Sequence, residues 1–264
     1  MRSIATTTAA LVGTALLLGA CAEDIPEIFI AQNQAIGDDC APATGAAVAS
    51  QGAGILDVFL ATQYDVTPLI ESTLVPSNSV EYRGLAAGAG GLFGNEWEAN
   101  LITLNRATVE LDIPAAVGVA VARSFDIQIS GSITPGGQTV VPLTAITPPV
   151  VNVLRSSPLI RQSLTTPVTI LARIKVSGRT SAGNTVGSNE FTYPINVCYG
   201  CLLDVPPDAI DPSLPTPNCR APLAENLQLE PICRRGQDRP VDCRQFCPTL
   251  GPNVEDLTGI CVPR

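Results

Sequence analysis

Chemistry has few places to reside in this chain. Its 264 residues include no histidine. That removes the commonest general base, the commonest zinc ligand and every Ser-His-Asp or Cys-His arrangement. The sequence also has no G-x-S-x-G and no phosphate-cradling glycine loop. Carboxylates and thiols remain. Glu96 and Glu98 flank Trp97, beside a glycine-rich stretch at 88–94 that carries Phe93. An aromatic platform bracketed by two acids suits sugar recognition, and two acids at a fixed separation also drive glycoside hydrolysis. The plainer alternative is that Trp97 plugs the core. The other acids have ordinary explanations. Glu110 and Asp112 alternate with Val109, Leu111 and Ile113, so they belong on the solvated face of a strand. Glu23, Asp24, Glu27, Asp38 and Asp39 lie near the N-terminus, and Asp204, Asp208, Asp211, Asp238 and Asp242 near the C-terminus.

Cys198-Tyr199-Gly200-Cys201 is the sharpest local motif. A C-x-x-C works as a redox pair when a helix N-terminus acidifies its first thiol. Here a strand pattern precedes the motif and Leu202-Leu203-Asp204-Val205-Pro206-Pro207 follows it, a run unable to start a helix of any length. A second reading groups Cys198 and Cys201 with Cys243 and Cys247 as a four-thiolate zinc site, since the spacings suit tetrahedral coordination. The third reading is structural disulfides that tie the C-terminal segment to the last strand. That is the expectation, because nine cysteines in one chain are normal where disulfides persist and odd where they are reduced. No metal and no cofactor are expected.

The first residues bear on the compartment. Arg2 is followed by the apolar run Ala9-Ala10-Leu11-Val12-Gly13-Thr14-Ala15-Leu16-Leu17-Leu18, and Leu18-Gly19-Ala20-Cys21 closes it. The run is shorter than the roughly 20 apolar residues a membrane helix needs and suits a signal peptide. Leu18-Gly19-Ala20-Cys21 resembles the lipobox of bacterial lipoproteins at all four positions. The resemblance covers residues 1–21 and implies cleavage before Cys21, a diacylglyceryl group on its thiol and a further acyl chain, such as palmitate, on the new amine. Two or more chains anchor stably where one binds marginally, at about 0.8 kcal/mol per buried methylene. In that family an aspartate directly after the cysteine retains the protein in the inner membrane; Ala22 here implies the outer membrane. The implied location is the bacterial cell envelope, with the lipid bilayer as a partner through acylated Cys21.

Setting Cys21 aside leaves Cys40, Cys198, Cys201, Cys219, Cys233, Cys243, Cys247 and Cys261. An even remainder fits four disulfides, with 105 connectivities open. Without Arg2 the chain carries 14 basic and 24 acidic residues, a net charge of −10. Such a chain repels phosphate backbones, so nucleic acid is excluded as a partner and membrane contact falls to the lipid alone.

These residues need a scaffold, and the periodicity is that of strands. Val168, Ile170, Ala172, Ile174 and Val176 share one face, while Arg173, Lys175 and Ser177 share the other. Gly178 is expected to end this strand and Ser181-Ala182-Gly183-Asn184 to form the turn. The chain returns with Phe191, Tyr193, Ile195 and Val197 on one face. Pro194 lacks a ladder donor, which predicts an edge strand or a bulge. Phe125, Ile127 and Ile129 alternate up to a Pro135-Gly136-Gly137 turn and a second run at 139–143. Ile102 and Leu104 sit in the opposite parity to Val109, Leu111 and Ile113, so a bulge is expected near Asn105-Arg106. Leu56, Val58 and Leu60 are expected to begin the first strand, Val80-Glu81-Tyr82 to add another, and 149–164 to form a helix interrupted at Pro158.

The predicted organisation is a signal peptide at 1–20, a lipidated N-terminus and tether at 21–53 with a short ordered stretch at Ile28-Phe29-Ile30, a β-domain at 54–198 and a Cys/Pro-rich, disulfide-stapled tail at 199–264. The fold class is all-β, an antiparallel immunoglobulin-like or fibronectin-like sandwich with an irregular tail and a barrel as alternative. The tail resembles the cysteine-rich ends of uncharacterised bacterial lipoproteins, which implies no activity. The functional expectation is a membrane-anchored, non-catalytic β-sandwich with an envelope structural role or an envelope protein or glycan partner. The alternative is a carbohydrate-binding module or carboxylate-dependent hydrolase using Trp97, Glu96 and Glu98.

Overall fold

Alternating apolar and polar residues bury one face of each strand, and that pattern builds the body. The computed structural model describes residues 26–42, 50–77, 98–118, 120, 122–163, 166–214, 216, 218–221 and 232–247. The strands are β1 (Ile28–Asn33), β2 (Gly54–Asp57), β3 (Tyr64–Val66), β4 (Pro68–Ser72), β5 (Ile102–Asp112), β6 (Ser124–Ile133), β7 (Gln138–Val140), β8 (Leu143–Ile146), β9 (Val168–Thr180), β10 (Thr185–Gly187), β11 (Phe191–Cys198), β12 (Leu203–Asp204) and β13 (Val241–Asp242). The main sheet runs β2-β11-β9-β5-β6, with β10 also on β9. A smaller sheet runs β1-β4-β7, and β3 pairs with β8. Pairing is antiparallel apart from β2 with β11 and β12 with β13. One apolar cluster joins the sheets, from Ile28 and Ile30 through Ile70 and Ile146 to Ile170, Ile174, Tyr193 and Ile195. The fold is all-β and sandwich-like.

The expected core positions Ile170, Ile174, Val176, Tyr193 and Ile195 are buried, whereas Phe191, also expected in the core, packs half-buried at its margin. The parity flip in β5 is a bulge. Ile102 and Leu104 are buried, and so are Ala107, Val109 and Leu111, with the register shifting between Leu104 and Arg106 against both neighbours. A one-residue slip swaps the faces, so the extra residue keeps both halves of the strand apolar-inward.

Gly178 does not end β9. It pairs with Leu104 at the bulge, and a Cβ there would lie 2.4 Å from the Thr103 carbonyl oxygen. The glycine is a point of close strand approach, and β9 continues to Thr180 before the turn at Gly183, φ +93°. Pro194 lies inside a strand paired on both flanks, but β2 joins β11 only from Ile195 onward, so the proline occupies a stretch that is still an edge on that side.

Other expectations shift at their boundaries. β2 stops at Asp57; Val58 and Leu60 are buried but lie in the turn that follows. The first strand is β1, whose Ile28 and Ile30 are core, so the ordered stretch at 28–30 is part of the body and not of a tether. The run at 139–143 breaks between Val140 and Leu143, with Pro142 in the gap, as β7 leaves β4 and β8 turns to β3. Helices α1 (Pro148–Ser156) and α2 (Pro158–Arg161) divide at Ser157-Pro158 and bury Val150, Val151, Leu154 and Ile160. The expected strand at Val80-Glu81-Tyr82 lies outside the described residues.

The tail packs against the body. Leu202, Ala209, Val241, Cys243 and Phe246 form a second apolar cluster with Leu60, and Phe59 links it to the main core, its ring 5.1 Å from Phe246 and 5.4 Å from Tyr199. Among its described residues the regular structure is the β12–β13 pair, a 3-10 turn at Pro207–Ala209 and one turn of helix, α3 (Cys243–Phe246).

Candidate functional site

Three disulfides join described cysteines. Cys40 is bonded to Cys233, Cys198 to Cys201, and Cys219 to Cys243; Cys247 is also disulfide-bonded. The four thiols of the zinc alternative are therefore not brought together, since Cys198 pairs within its own motif and Cys243 pairs with Cys219. Loop entropy ranks the bridges. Sequence separations of 193, 24 and 3 residues correspond to roughly 5, 3 and 2 kcal/mol by the chain-entropy relation. Cys40–Cys233 ties the N-terminal segment to the tail, while Cys198–Cys201 constrains the unfolded chain least.

Cys21, Cys261, Glu96, Trp97 and the glycine-rich stretch at 88–94 lie outside the described residues. Glu98 is described, and it acts as a brace. Its Oε1 accepts from the Ser77 hydroxyl at 2.6 Å, the Ser77 N–H at 3.0 Å and the Asn100 N–H at 2.9 Å. The Ser77 hydroxyl is the main reason its carboxyl sits below the usual range. These bonds hold Ser77 and Asn100 together. Glu110 and Asp112 are exposed, as the alternation required, and Asp112 faces Arg173 at 3.5 Å.

The cavity with the richest chemistry lies where the N-terminal segment meets the tail. It encloses about 670 Å3, with Ala35, Ile36, Gly37 and Gln51 on one side and residues of 232–245 together with Asp204 and Asp208 on the other. Its charges are arranged by local geometry. Arg244 makes a fork on Asp242, Nε to Oδ1 at 2.9 Å and Nη2 to Oδ2 at 2.6 Å, and reaches Asp208 with Nη1 at 2.8 Å. The Arg244 hydrogen bonds pull the Asp242 carboxyl below its ordinary range, and both aspartates push the guanidinium up. Arg239 pairs with Asp38 across the cleft, and Arg234 donates to the Asp65 carbonyl at 2.7 Å.

The floor is polar and internal. Asp238 has φ +62°, a left-handed conformation that aspartate tolerates better than most residues. Its Oδ1 accepts from the Ile55 N–H at 2.8 Å and the Tyr64 hydroxyl at 3.0 Å, and that hydroxyl lies 3.4 Å from the Tyr193 hydroxyl. Burial first, and then the Asp238 charge, push the Tyr64 phenol up; burial pushes Tyr193 up to about 12. Gly236, φ +73°, lets the tail approach the turn after β2, since a Cβ there would sit 2.6 Å from the Ala61 nitrogen. The arrangement presents charges of both signs, some of them paired, around a cavity large enough for a small ligand or a peptide end.

A second cluster sits at the junction of β2 with the C-x-x-C. Asp57 is fully buried and accepts N–H bonds from Phe59 at 3.0 Å, Gly200 at 2.7 Å and Leu202 at 2.9 Å. Desolvation raises its pKa above the ordinary aspartate value, against the lowering effect of these donors. Neither this aspartate nor the cleft was singled out from the sequence. A signal existed for the first, because an acid within Ile55-Leu56-Asp57-Val58 must find buried partners. The cleft had none, because its walls are almost 200 residues apart, as the Cys40–Cys233 separation of 193 residues shows. Compared with known proteins, the chain matches no family model, no curated protein and no solved structure.

Proposed function

We propose that this chain is a lipid-anchored lipoprotein of the bacterial envelope, most simply of the outer membrane, whose β-sandwich and stapled tail bind a partner and catalyse no reaction. The observation that carries the binding role is the cleft between residues 35–37 with Gln51 and the tail. Its walls are stapled by Cys40–Cys233, and Arg244 is held in a half-buried fork on Asp242 that also reaches Asp208. Pre-paired charge on a rigid frame favours recognition, because little side-chain freedom is left to lose on binding. What supports the anchor is Leu18-Gly19-Ala20-Cys21 with Ala22 after it. The brace formed by Glu98 supports the non-catalytic side, since one acid of the Glu96–Glu98 pair already has a structural task. Cleft charges of both signs fit an envelope protein or a polar glycan.

Cys21→Ser tests the anchor. The expected result is loss of the protein from membrane fractions, or accumulation of the unprocessed chain. Unchanged membrane association together with an unchanged mature mass would reject the reading.

A further inference from the structure

Cys219–Cys243 also has a carboxylate, Asp242, near both sulfurs, but among the described disulfides Cys198–Cys201 alone joins a fully buried sulfur to a partly exposed one across a loop of three residues. Cys198 is buried to 1 % exposure, while Cys201 is partly exposed, so the two sulfurs differ in access. The Asp57 carboxylate lies beneath them, with one oxygen and both sulfurs all within 4.8 Å of one another. Asp57 also holds the loop that carries the pair, through the Gly200 and Leu202 N–H groups. On another side of Cys198, the Leu56 carbonyl oxygen is 3.6 Å from Sγ, a distance at which a reduced thiol donates to it. The pocket around Cys198 thus has an acceptor for an S–H that the oxidised protein does not carry. Tyr199, between the two cysteines, packs its ring 5.4 Å from that of Phe59 and 5.9 Å from the Arg161 guanidinium, contacts that do not run through the bridge. The bridge also closes the shortest loop of the three, so opening it costs the fold least.

The geometry points to an exchangeable disulfide: a thiolate from a small thiol or a partner cysteine attacks Cys201 Sγ, and Cys198 is the leaving sulfur, received between Asp57 and the Leu56 carbonyl. The incoming thiol first gives its proton to solvent. Its sulfur then bonds Cys201 as the Cys198–Cys201 bond breaks, and the electron pair leaves on Cys198. A proton from the Asp57 carboxyl or from solvent makes Cys198 a thiol. In the reverse direction Asp57 takes that proton while Cys198 attacks Cys201 and expels the bound thiolate. If a second thiolate attacks the mixed disulfide, Cys201 is released as a thiolate. The motif then gains two electrons and the two external thiols become one disulfide. Asp57 is placed to act because burial holds its carboxyl up, nearer the range in which it can exchange a proton. No helix N-terminus follows to acidify Cys201. The exchange therefore serves covalent capture or redox setting and not rapid turnover, and it is separate from both the anchor and the cleft.

The test uses the mature protein with reduced glutathione as the probe for the intact bridge and oxidised glutathione for the single-cysteine variants, with alkylation quenching and peptide mass spectrometry. Cys198→Ser, which leaves Cys201 a free thiol, should form an adduct with oxidised glutathione, releasing one reduced glutathione, at least about tenfold faster than Cys201→Ser forms one at Cys198, because access governs the rate. In the wild type under native conditions, Cys198 and Cys201 should become alkylated while Cys219 and Cys243 stay oxidised. Asp57→Asn should slow the release of glutathione from Cys201 and move its pH profile. Equal labelling of the two single mutants, adducts favouring Cys198, or a bridge that opens only with global unfolding would each overturn the proposal. So would stoichiometric zinc on the reduced chain, which would make the cluster a metal site. If Asp57→Asn does not fold, the two cysteine variants decide the matter. All these readouts are independent of membrane fractionation, so this inference and the anchor reading fail separately.

Discussion

Asp57→Ala should be among the costliest single substitutions in the protein. The carboxylate is fully buried and takes the N–H groups of Phe59, Gly200 and Leu202, which join the end of β2 to the C-x-x-C loop. Removing it leaves three donors without an acceptor, at about 1–3 kcal/mol each when buried. Deleting a buried charge offsets part of that cost. The low end of the range is therefore expected, about 3 kcal/mol, or roughly 6–12 °C in Tm for a domain of this size. Chemical and thermal denaturation at neutral pH measure it. A change of less than about 0.5 kcal/mol, the usual size of an ordinary surface substitution, would refute the reasoning. The pH dependence supplies a second check. The folded pKa of Asp57 is raised above its ordinary value of 3.8. The stability it contributes is therefore complete below that ordinary value and is lost as pH rises through the folded one. Asp57→Asn should remove this downward slope. A wild type and variant that stay parallel across the range would show that the carboxyl is not buried as described.

Gly178→Ala should cost about 1–3 kcal/mol in denaturant, because the new methyl meets the Thr103 carbonyl at 2.4 Å and backbone cannot swing aside; wild-type stability would mean that β5 and β9 do not approach so closely. Peptide mapping of unreduced protein should recover Cys40–Cys233, Cys198–Cys201 and Cys219–Cys243, with no thiol titrating under denaturing conditions. A hydrolase screen over glycan and peptide substrates should show no activity dependent on the Glu96/Glu98 pair; activity lost in Glu96→Gln/Glu98→Gln would overturn the non-enzyme proposal.

Local order was legible in the residues themselves. The two faces of β9 and β11, the parity flip in β5 and the helix break at Pro158 all follow from period, proline geometry and turn chemistry, which act within a few residues. So does the class of the fold, since alternating strands of this number have few ways to bury one face each. The tertiary structure decided what depends on distant pairing. Gly178 looked like a strand end because glycine usually punctuates; its reason is the bulge opposite, which belongs to β5. Residues 28–33 looked like part of a tether because a single short strand has no partner in its own sequence; β4 supplies one. Eight cysteines fit many pairings equally well, and only the docking of the tail on β2 selects Cys40 with Cys233. Asp238 reads as one more acid near the C-terminus and Asp57 carries no motif, and only burial and backbone donors give the two their partners. Period and chirality are properties of adjacent residues, whereas burial and convergence belong to the whole folded chain.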